Sequence, residues 1–213
     1  MHHLPLEPKT IKLAGEEIAL YVPEIYAIKR RYAEQKEAGA TEPFPYWAQV
    51  WPSAIAMASY IMKNNEVVKY KTVLELGAGL GLPSIIAARY ARNVTCTDIS
   101  GDAVEIAKAT ADHNRISNIE YRVIDWRTSC EGLNGDVLLL SDVNYEPPVF
   151  EPLYEVILQF LKGGATILLT TPHRLMAKPF IEKLLPFCSY KETIEVSTEN
   201  DTSPILLLIL KDE

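Results

Sequence analysis

From residue 72 onward, apolar runs of strand length alternate with segments of helical periodicity, and the connections between them are short. Such alternation is typical of βαβ units, in which a crossover helix joins two parallel strands. The predicted strands are Thr72–Leu76, Val94–Thr97, Glu120–Ile124, Asp136–Leu140, Ala165–Thr170, Lys191–Ser197 and Ile205–Lys211. The predicted helices between them are Pro83–Tyr90, Asp102–Asn114, Pro152–Leu161 and Lys178–Leu185. The pattern therefore predicts an α/β fold with a doubly wound sheet.

The last two predicted strands are joined only by the polar segment Thr198–Pro204. A parallel pair needs a crossover of about a dozen residues, so these two strands are predicted to be antiparallel neighbours. The complete expectation is a seven-stranded sheet with five parallel strands and a terminal antiparallel pair.

The segment before the alternating part is mixed. Residues Ile11–Val22 are weakly predicted as a strand or hairpin, and Glu24–Ala38 as a helix. The basic run Lys29-Arg30-Arg31 falls on that helix, where a solvated face is the expected arrangement. Ser53 is a candidate cap for a further helix that runs to about Lys63.

The chain length of 213 residues fits one domain. We expect residues 1–213 to form a single domain, with 1–70 as an N-terminal extension and 71–213 as the core.

Composition argues against several classes of function. The net charge is −7 and the only tight basic cluster is the one at Lys29, so a nucleic-acid partner is not expected. No stretch approaches the ~20 apolar residues of a membrane span, and no signal peptide is evident, so a cytoplasmic protein is expected. Cys96, Cys130 and Cys188 are odd in number and far apart, which argues against a disulfide framework and against a zinc site.

A glycine-rich turn follows the first strand of the alternating part and precedes a helix: Gly77-Ala78-Gly79-Leu80-Gly81. Glycines let the backbone pass close to a ligand, and the helix start offers free N–H groups. Dinucleotide enzymes use G-x-G-x-x-G, whereas the third glycine here comes one residue earlier. We predict that Glu75, Gly77, Ala78 and Gly79 bind a cofactor; the alternative is a purely structural turn.

Polar residues follow three further strands at the edge where ligands bind in parallel sheets. Asp98 could accept both hydroxyls of a ribose, or could only cap the next helix. Asp125 could accept a hydrogen bond from an adenine amino group while Trp126 covers the ring, or the two could form a turn and part of the core. Asp142 and Tyr145 are close enough in sequence to face one site, although a surface turn is the alternative.

Together these motifs resemble the class I S-adenosylmethionine-dependent methyltransferases, which have a seven-stranded, Rossmann-like sheet. The run from Glu75 to Gly81, E-L-G-A-G-x-G, is specific to that superfamily. The Trp51-Pro52 segment and the Asp142-x-x-Tyr145 motif narrow the resemblance to the protein-lysine methyltransferases that act on electron-transfer flavoprotein β, Hsp70 chaperones and valosin-containing protein. The resemblance covers roughly residues 42–211.

The resemblance implies S-adenosyl-L-methionine as the cofactor and a role for each motif. The expected cofactor contacts beyond those named above are Trp51 as a pocket wall, Asp98 at the ribose, Trp126 at the adenine and Ser141 beside the cofactor. Asp142 and Tyr145 would place the substrate amine, and so are the expected catalytic residues.

The acceptor implied by this resemblance is a lysine of a protein substrate. Its amine must be neutral to react, although its reference pKa is ~10.4. Because a carboxylate alone would stabilise the ammonium, Asp142 is predicted to orient the amine and not to act as a strong base. Two alternatives stay open: a methyltransferase for a small amine or other metabolite, and a cofactor-binding module without catalysis. A dinucleotide oxidoreductase fits the glycine spacing badly.

Overall fold

The structure is a computed structural model that describes residues 4–41, 43–198 and 201–212. Residues 199 and 200, at the centre of the connection between the last two predicted strands, lie outside the described residues. The strands are β1 (Leu6–Leu13), β2 (Glu16–Pro23), β3 (Thr72–Leu76), β4 (Asn93–Asp98), β5 (Ile119–Val123), β6 (Val137–Ser141), β7 (Thr166–Pro172), β8 (Cys188–Ser197) and β9 (Thr202–Leu210). The helices are α1 (Ile25–Glu37), α2 (Pro52–Lys63), α3 (Leu82–Ala87), α4 (Gly101–His113), α5 (Phe150–Lys162) and α6 (Lys178–Leu184).

The predicted sheet architecture is confirmed. Seven strands form one sheet in the order β5-β4-β3-β6-β7-β9-β8, and the first five of these are parallel to their neighbours. Strand β9, the last in the chain, lies between β7 and β8 in the sheet and is antiparallel to both. Its apolar run Ile205–Leu210 suits an inner position that is covered on both faces, whereas the polar β8 takes the edge.

Alternate residues of the central strands pack on opposite faces of the sheet. In β6, Val137 and Leu139 join the cluster under α2 and α3, while Leu138 and Leu140 join the cluster under α5 and α6. A strand buried on both faces reads as a continuous apolar run, as V-L-L-L does here. Both faces are therefore covered by helices, as a doubly wound sheet requires.

The N-terminal hairpin is also confirmed. Strands β1 and β2 pair as a separate two-stranded antiparallel sheet that packs on α4. The backbone N–H of Tyr21 donates to Thr110 Oγ1 (3.0 Å), and Asn114 Nδ2 donates to the carbonyl of Ala19 (2.8 Å). Ile18 and Leu20 belong to the same hydrophobic cluster as the helices above the main sheet. The hairpin and these helices therefore share one hydrophobic cluster.

The predicted cap at Ser53 is wrong. Helix α2 begins at Pro52, and Trp51 precedes it without a side-chain cap. Proline is favoured at the first helical position, because its fixed φ suits a helix and its missing N–H would be unpaired there anyway. Ser53 thus lies inside the first turn, where its hydroxyl is buried and has no hydrogen-bond partner among the described residues.

The end of helix α3 also differs from the prediction. The helix expected over Pro83–Tyr90 ends at Ala87, because the chain turns there and the carbonyl of Tyr90 accepts a hydrogen bond from Tyr70.

Within the described part of the chain, no helix combines the length and the apolar character that a membrane crossing requires.

Candidate functional site

A cavity of ≈ 650 Å³ opens at the carboxyl ends of the parallel strands β3, β4 and β6. This volume is in the range of ligand sites, and the position is where parallel α/β sheets bind ligands. Helix α1 and the segment before α2 complete its walls. The cavity brings together every predicted site residue except Glu75, namely Trp51, Gly77, Ala78, Gly79, Asp98, Asp125, Trp126, Ser141, Asp142 and Tyr145.

The glycine loop forms a bare stretch of the cavity wall. Gly77 has a φ of +64° and Gly79 has a φ of +54°, a left-handed conformation that side chains rarely adopt. A Cβ atom at Gly77 would lie 2.9 Å from Val143 Cγ1, and one at Gly79 would lie 3.4 Å from the carbonyl oxygen of Trp47. A side chain would clash at Gly77 and would be strained by the backbone conformation at Gly79, so both positions present bare backbone to the cavity.

Glu75 does not reach the cavity, so the expectation that it binds the cofactor is corrected. Its side chain is fully buried, and Oε2 accepts hydrogen bonds from Ser84 N (2.9 Å) and Ser84 Oγ (2.5 Å) in the first turn of α3. Its Oε1 is buried without a partner among the described residues. Burial raises the pKa of Glu75 to about 8, against the opposing effect of the Ser84 hydrogen bonds. The residue thus ties β3 to α3 and sets the path of the glycine loop between them.

Asp98 lies at the end of β4 and lines the cavity with 6% of its surface exposed. Oδ2 accepts a hydrogen bond from Gly79 N (2.8 Å), and Oδ1 accepts one from Ser100 N (2.9 Å). Burial raises the pKa of Asp98, and these backbone hydrogen bonds oppose that rise. The cap of α4 is Ser100, whose hydroxyl accepts from Ala103 N, so the helix-cap alternative for Asp98 does not hold. A carboxylate with two such bonds retains further acceptor capacity.

Asp125 and Trp126 form the turn and part of the core that the sequence left open as the alternative. Asp125 accepts hydrogen bonds from Nε and Nη2 of Arg127, each at 2.8 Å, and this contact lowers the pKa of Asp125. Trp126 is half-buried and packs on the cluster under α5. Both residues nevertheless line the cavity, so the turn at the end of β5 also forms its wall.

The residues after β6 also line the cavity, and Val143 among them lies beside Gly77. Asp142 has a left-handed φ of +59°, and its backbone N–H donates to the carbonyl of Thr170 (2.9 Å). Its side chain is 8% exposed, and Oδ1 lies 2.5 Å from Nη1 of Arg174. Aspartate tolerates the left-handed region better than most residues. Because Asp142 is this deeply buried, the surface-turn alternative does not describe it.

Aromatic side chains also line the cavity. The ring of Tyr145 lies 6.0 Å from that of Tyr46, which in turn lies 6.2 Å from that of Trp51. The indole N–H of Trp51 donates to the carbonyl of Tyr46 (2.8 Å), which holds the short 3-10 turn Tyr46–Ala48 over the glycine loop. Tyr46 was not among the predicted site residues, although it stands in the aromatic run before α2.

Three arginines of the cavity, Arg31, Arg127 and Arg174, were also missed. Arg174 follows β7, and the rule that ligands bind at the carboxyl ends of strands could have identified it. Arg31 lies on α1 one turn after the buried Ile28, so it shares the inward face of that helix. It forms an ion pair with Asp102. Lys29 and Arg30 are exposed, as the solvated-face expectation requires, whereas Arg31 is only partly exposed and lines the cavity.

A sequence model of a protein family described as "Lysine methyltransferase" matches residues 46–186, which is more than half of the chain. The chain belongs to the lysine methyltransferase family. This membership confirms the predicted class I S-adenosylmethionine-dependent methyltransferase group, and with it S-adenosylmethionine as the cofactor. The matched range contains every predicted site residue.

The names of two proteins similar to this chain specify different acceptor residues, arginine in one and lysine in the other. Histone-arginine methyltransferase METTL23 of Homo sapiens is 30% identical over 114 residues, which cover 51% of this chain and 60% of that protein. Electron transfer flavoprotein beta subunit lysine methyltransferase of Danio rerio is 35% identical over 115 residues, which cover 53% of this chain and 44% of that protein. The chain spans about half the length of the curated relatives it matches.

Solved structures share the fold at low sequence identity. N-methyltransferase NodS from Bradyrhizobium japonicum WM9, in complex with S-adenosyl-L-homocysteine, has a TM-score of 0.62 and 12% identity, and the match covers 84% of this chain and 98% of that chain. The 16S rRNA N2 G1207 methyltransferase RsmC of T. thermophilus has a TM-score of 0.66 and 15% identity over 99% of this chain and 51% of that chain. These likenesses confirm the fold class.

The residues of the cavity fit the cofactor of this family. Gly77 and Gly79 present bare backbone, Asp98 offers carboxylate oxygens beside them, and Trp126 offers an aromatic face. These are the groups that a ribose with two hydroxyls and a flat base require. Asp142 and Tyr145 are further polar groups of the same cavity.

Proposed function

We propose that this protein transfers a methyl group from S-adenosylmethionine to a lysine side chain of a protein. The observation that carries the proposal is that one cavity holds both the glycine loop with Asp98 and the Asp142-x-x-Tyr145 motif. Family membership and the relative that methylates the electron transfer flavoprotein beta subunit support it.

In this proposal Gly77, Ala78, Gly79 and Asp98, together with the walls at Trp51, Asp125, Trp126 and Ser141, hold the cofactor. When bound, the cofactor supplies an electrophilic methyl group on a sulfonium. Transfer is an in-line displacement, so the protein contributes mostly by positioning the two reactants. Walls made of buried strand ends and a short loop suit that task, because they move little.

The acceptor amine is assigned to the end of the cavity near Asp142. Asp142 orients the amine, and the exposed Tyr145 offers a hydroxyl and a ring face to a cationic group at the entrance. Tyr46 adds a second ring beside Tyr145. Burial raises the pKa of Tyr145, and Glu146 adds to that effect, so its hydroxyl remains protonated and able to donate.

A protein arginine acceptor is the second candidate. It is favoured by the 30% identity to histone-arginine methyltransferase METTL23. A small-molecule acceptor stays open as a third outcome, because no comparison assigns an acceptor to this chain.

As part of the same proposal, residues 1–213 act as one methyltransferase domain in a reducing compartment such as the cytoplasm. The hairpin shares its core with the helices above the sheet, which supports the single domain. Cys96, Cys130 and Cys188 are free thiols, which are common in proteins of reducing compartments.

The test is transfer of labelled methyl from S-adenosylmethionine into a lysate of the source organism. Proteins and small molecules are separated, and labelled proteins are hydrolysed to see whether methyl-lysine or methyl-arginine carries the label. Asp142→Ala is the inactive control, and Asp112→Ala, an exposed aspartate on α4 outside the cavity, is the matched variant.

We expect label on lysine in a discrete protein band. The band should be present with Asp112→Ala and absent with Asp142→Ala. Label on arginine would move the assignment to the second candidate. Label only in small molecules, or none in any fraction, would overturn the proposal of a protein acceptor.

A further inference from the structure

The carboxylate of Asp142 already has a cationic partner inside the cavity. Nη1 of Arg174 lies 2.5 Å from Oδ1, and the two side chains are 28% and 8% exposed. Arg174 follows β7 and begins a short 3-10 turn, in which its carbonyl accepts a hydrogen bond from Ala177 N (3.0 Å). The ion pair therefore joins the loop after β6 to the loop after β7 across 32 residues of sequence.

The other arginines and aspartates that line the cavity have partners other than Asp142 and Arg174. Arg31 pairs with Asp102, and Arg127 pairs with Asp125. Asp98 accepts hydrogen bonds from backbone N–H groups. The remaining titratable groups that line the cavity are Glu146, Tyr32, Tyr46 and Tyr145. Among the described residues, Arg174 is thus the one cation within ion-pair distance of Asp142.

This pairing changes what Asp142 does to an incoming amine. An unpaired, buried carboxylate attracts the ammonium form strongly, and the ammonium form has no electron pair with which to attack a methyl group. Once Arg174 neutralises Asp142, the site has little net charge to offer an ammonium. The carboxylate still has acceptor positions with which to orient the N–H groups of a neutral amine.

We propose that Arg174 is a positioning residue that neutralises Asp142, so that the acceptor subsite admits the amine in its uncharged form. This inference rests on the proposed function, because it assigns the amine to the Asp142 end of the cavity. The proton of the acceptor ammonium leaves to bulk water before transfer, and neither Asp142 nor Arg174 takes it. The arginine thereby removes an electrostatic preference that would otherwise hold lysine in its unreactive form.

The test uses n-butylammonium chloride, which has the charged end of a lysine side chain. Binding to the full chain saturated with S-adenosylhomocysteine is measured by NMR titration at pH 7, where this amine is almost wholly charged. Arg174→Gln, and Arg174→Met as a second variant that keeps an apolar stem, leave Asp142 unpaired. Arg89→Gln is the matched control, because Arg89 is similarly exposed (29%), is ion-paired with Glu16 and does not line the cavity.

Both Arg174 variants are expected to bind n-butylammonium roughly tenfold more tightly than the unmodified protein, while Arg89→Gln is unchanged. The pH at which lysate proteins reach half-maximal methyl labelling should also rise in Arg174→Gln. Equal affinity for n-butylammonium in folded Arg174 variants and the unmodified protein would overturn the inference. The titration needs no turnover, so it tests the effect of Arg174 on ammonium binding even if the enzyme is inactive. Absence of methyl labelling in the lysate would instead refute the proposed function.

Discussion

The carboxylate of Asp98 accepts a hydrogen bond from the backbone N–H of Gly79 at 2.8 Å, which fastens the end of β4 to the glycine loop after β3. Its other oxygen accepts a bond from Ser100 N, at the start of α4. One buried side chain therefore holds two loops that line the cavity. It can do so because a carboxylate has acceptors only and both of its neighbours are donors.

Asp98→Asn should weaken binding of S-adenosylhomocysteine. An amide has one acceptor oxygen, so its NH₂ group would face a backbone N–H where the second oxygen was. Losing a charge-assisted hydrogen bond at a buried site corresponds to a roughly 10- to 100-fold rise in Kd, measurable by calorimetry. Asp112→Asn is the control for an aspartate outside the cavity. An unchanged Kd for Asp98→Asn would contradict a role of Asp98 in cofactor binding.

Gly77→Ala should reduce both stability and S-adenosylhomocysteine binding. The new Cβ would lie 2.9 Å from Val143 Cγ1, in addition to the left-handed φ of +64°. The combined effect on the free energy of unfolding is about 2–4 kcal/mol by urea denaturation. Gly132→Ala has a comparable φ of +73° with nothing within 4 Å, so it isolates the backbone strain of ~1–2 kcal/mol and should leave binding unchanged.

The same clash predicts a partial rescue. In the double variant Gly77→Ala with Val143→Ala, the contacting methyl group is absent, so part of the lost stability should return relative to the sum of the single variants. Strictly additive losses would show that Val143 is not the obstacle.

Glu75→Gln should remove a pH dependence of stability. The folded-state pKa of Glu75 is raised from 4.5 to about 8, so between these values the unfolded chain ionises this group and the folded chain keeps the proton. The unfolded state then binds fewer protons, and stability falls as pH rises through this window. Urea denaturation should show the unmodified protein losing on the order of 3 kcal/mol relative to Glu75→Gln between pH 5 and pH 8.

Glu37→Gln, at the exposed end of α1, is the control for a change of charge alone. If the unmodified protein and Glu75→Gln lost stability in parallel over the same pH range, Glu75 would not be the group that titrates.

Arg31→Gln should loosen helix α1 over the cavity. The ion pair of Arg31 with Asp102 joins α1 to α4, and both side chains are more than one third exposed. Solvent screening limits such a pair, so we expect only a roughly two- to fivefold faster dissociation of S-adenosylhomocysteine in stopped-flow measurements. Arg30→Gln, the exposed neighbour on the same helix, should dissociate at the original rate. The same acceleration in both variants would point to net charge and not to the ion pair.

Asp142→Ala should abolish methyl transfer while S-adenosylhomocysteine binding changes by less than about threefold. In the proposed function Asp142 orients the acceptor amine, whereas the glycine loop and Asp98, which are assigned to the cofactor, remain intact. Labelled-methyl transfer and calorimetry on the same preparation compare the two effects. A proportional loss of transfer and binding would refute this division of roles.

Local sequence features determined the class of the fold and most of the cavity. The alternation of strand-like and helical segments predicted the parallel sheet, and the short Thr198–Pro204 connection predicted the antiparallel pair. The glycine loop, Asp98 and the Asp142-x-x-Tyr145 motif all follow strands, so one rule about carboxyl strand ends predicted that they meet. These features depend on periodicity and connection length, which are readable within short windows.

Only the tertiary structure decided which side chains pair across those windows. Arg174 contacts Asp142 across 32 residues of sequence, and Arg31 contacts Asp102 across 71 residues. No helical or strand periodicity in the sequence relates residues that far apart. Glu75 shows the converse case. It stands beside the glycine loop in the sequence, yet the alternation of side chains along β3 turns it toward the buried Ser84 and away from the cavity. Motif spacing identifies the strand ends, but the packing of helices and loops around them determines which charges are neutralised and which remain available to a ligand.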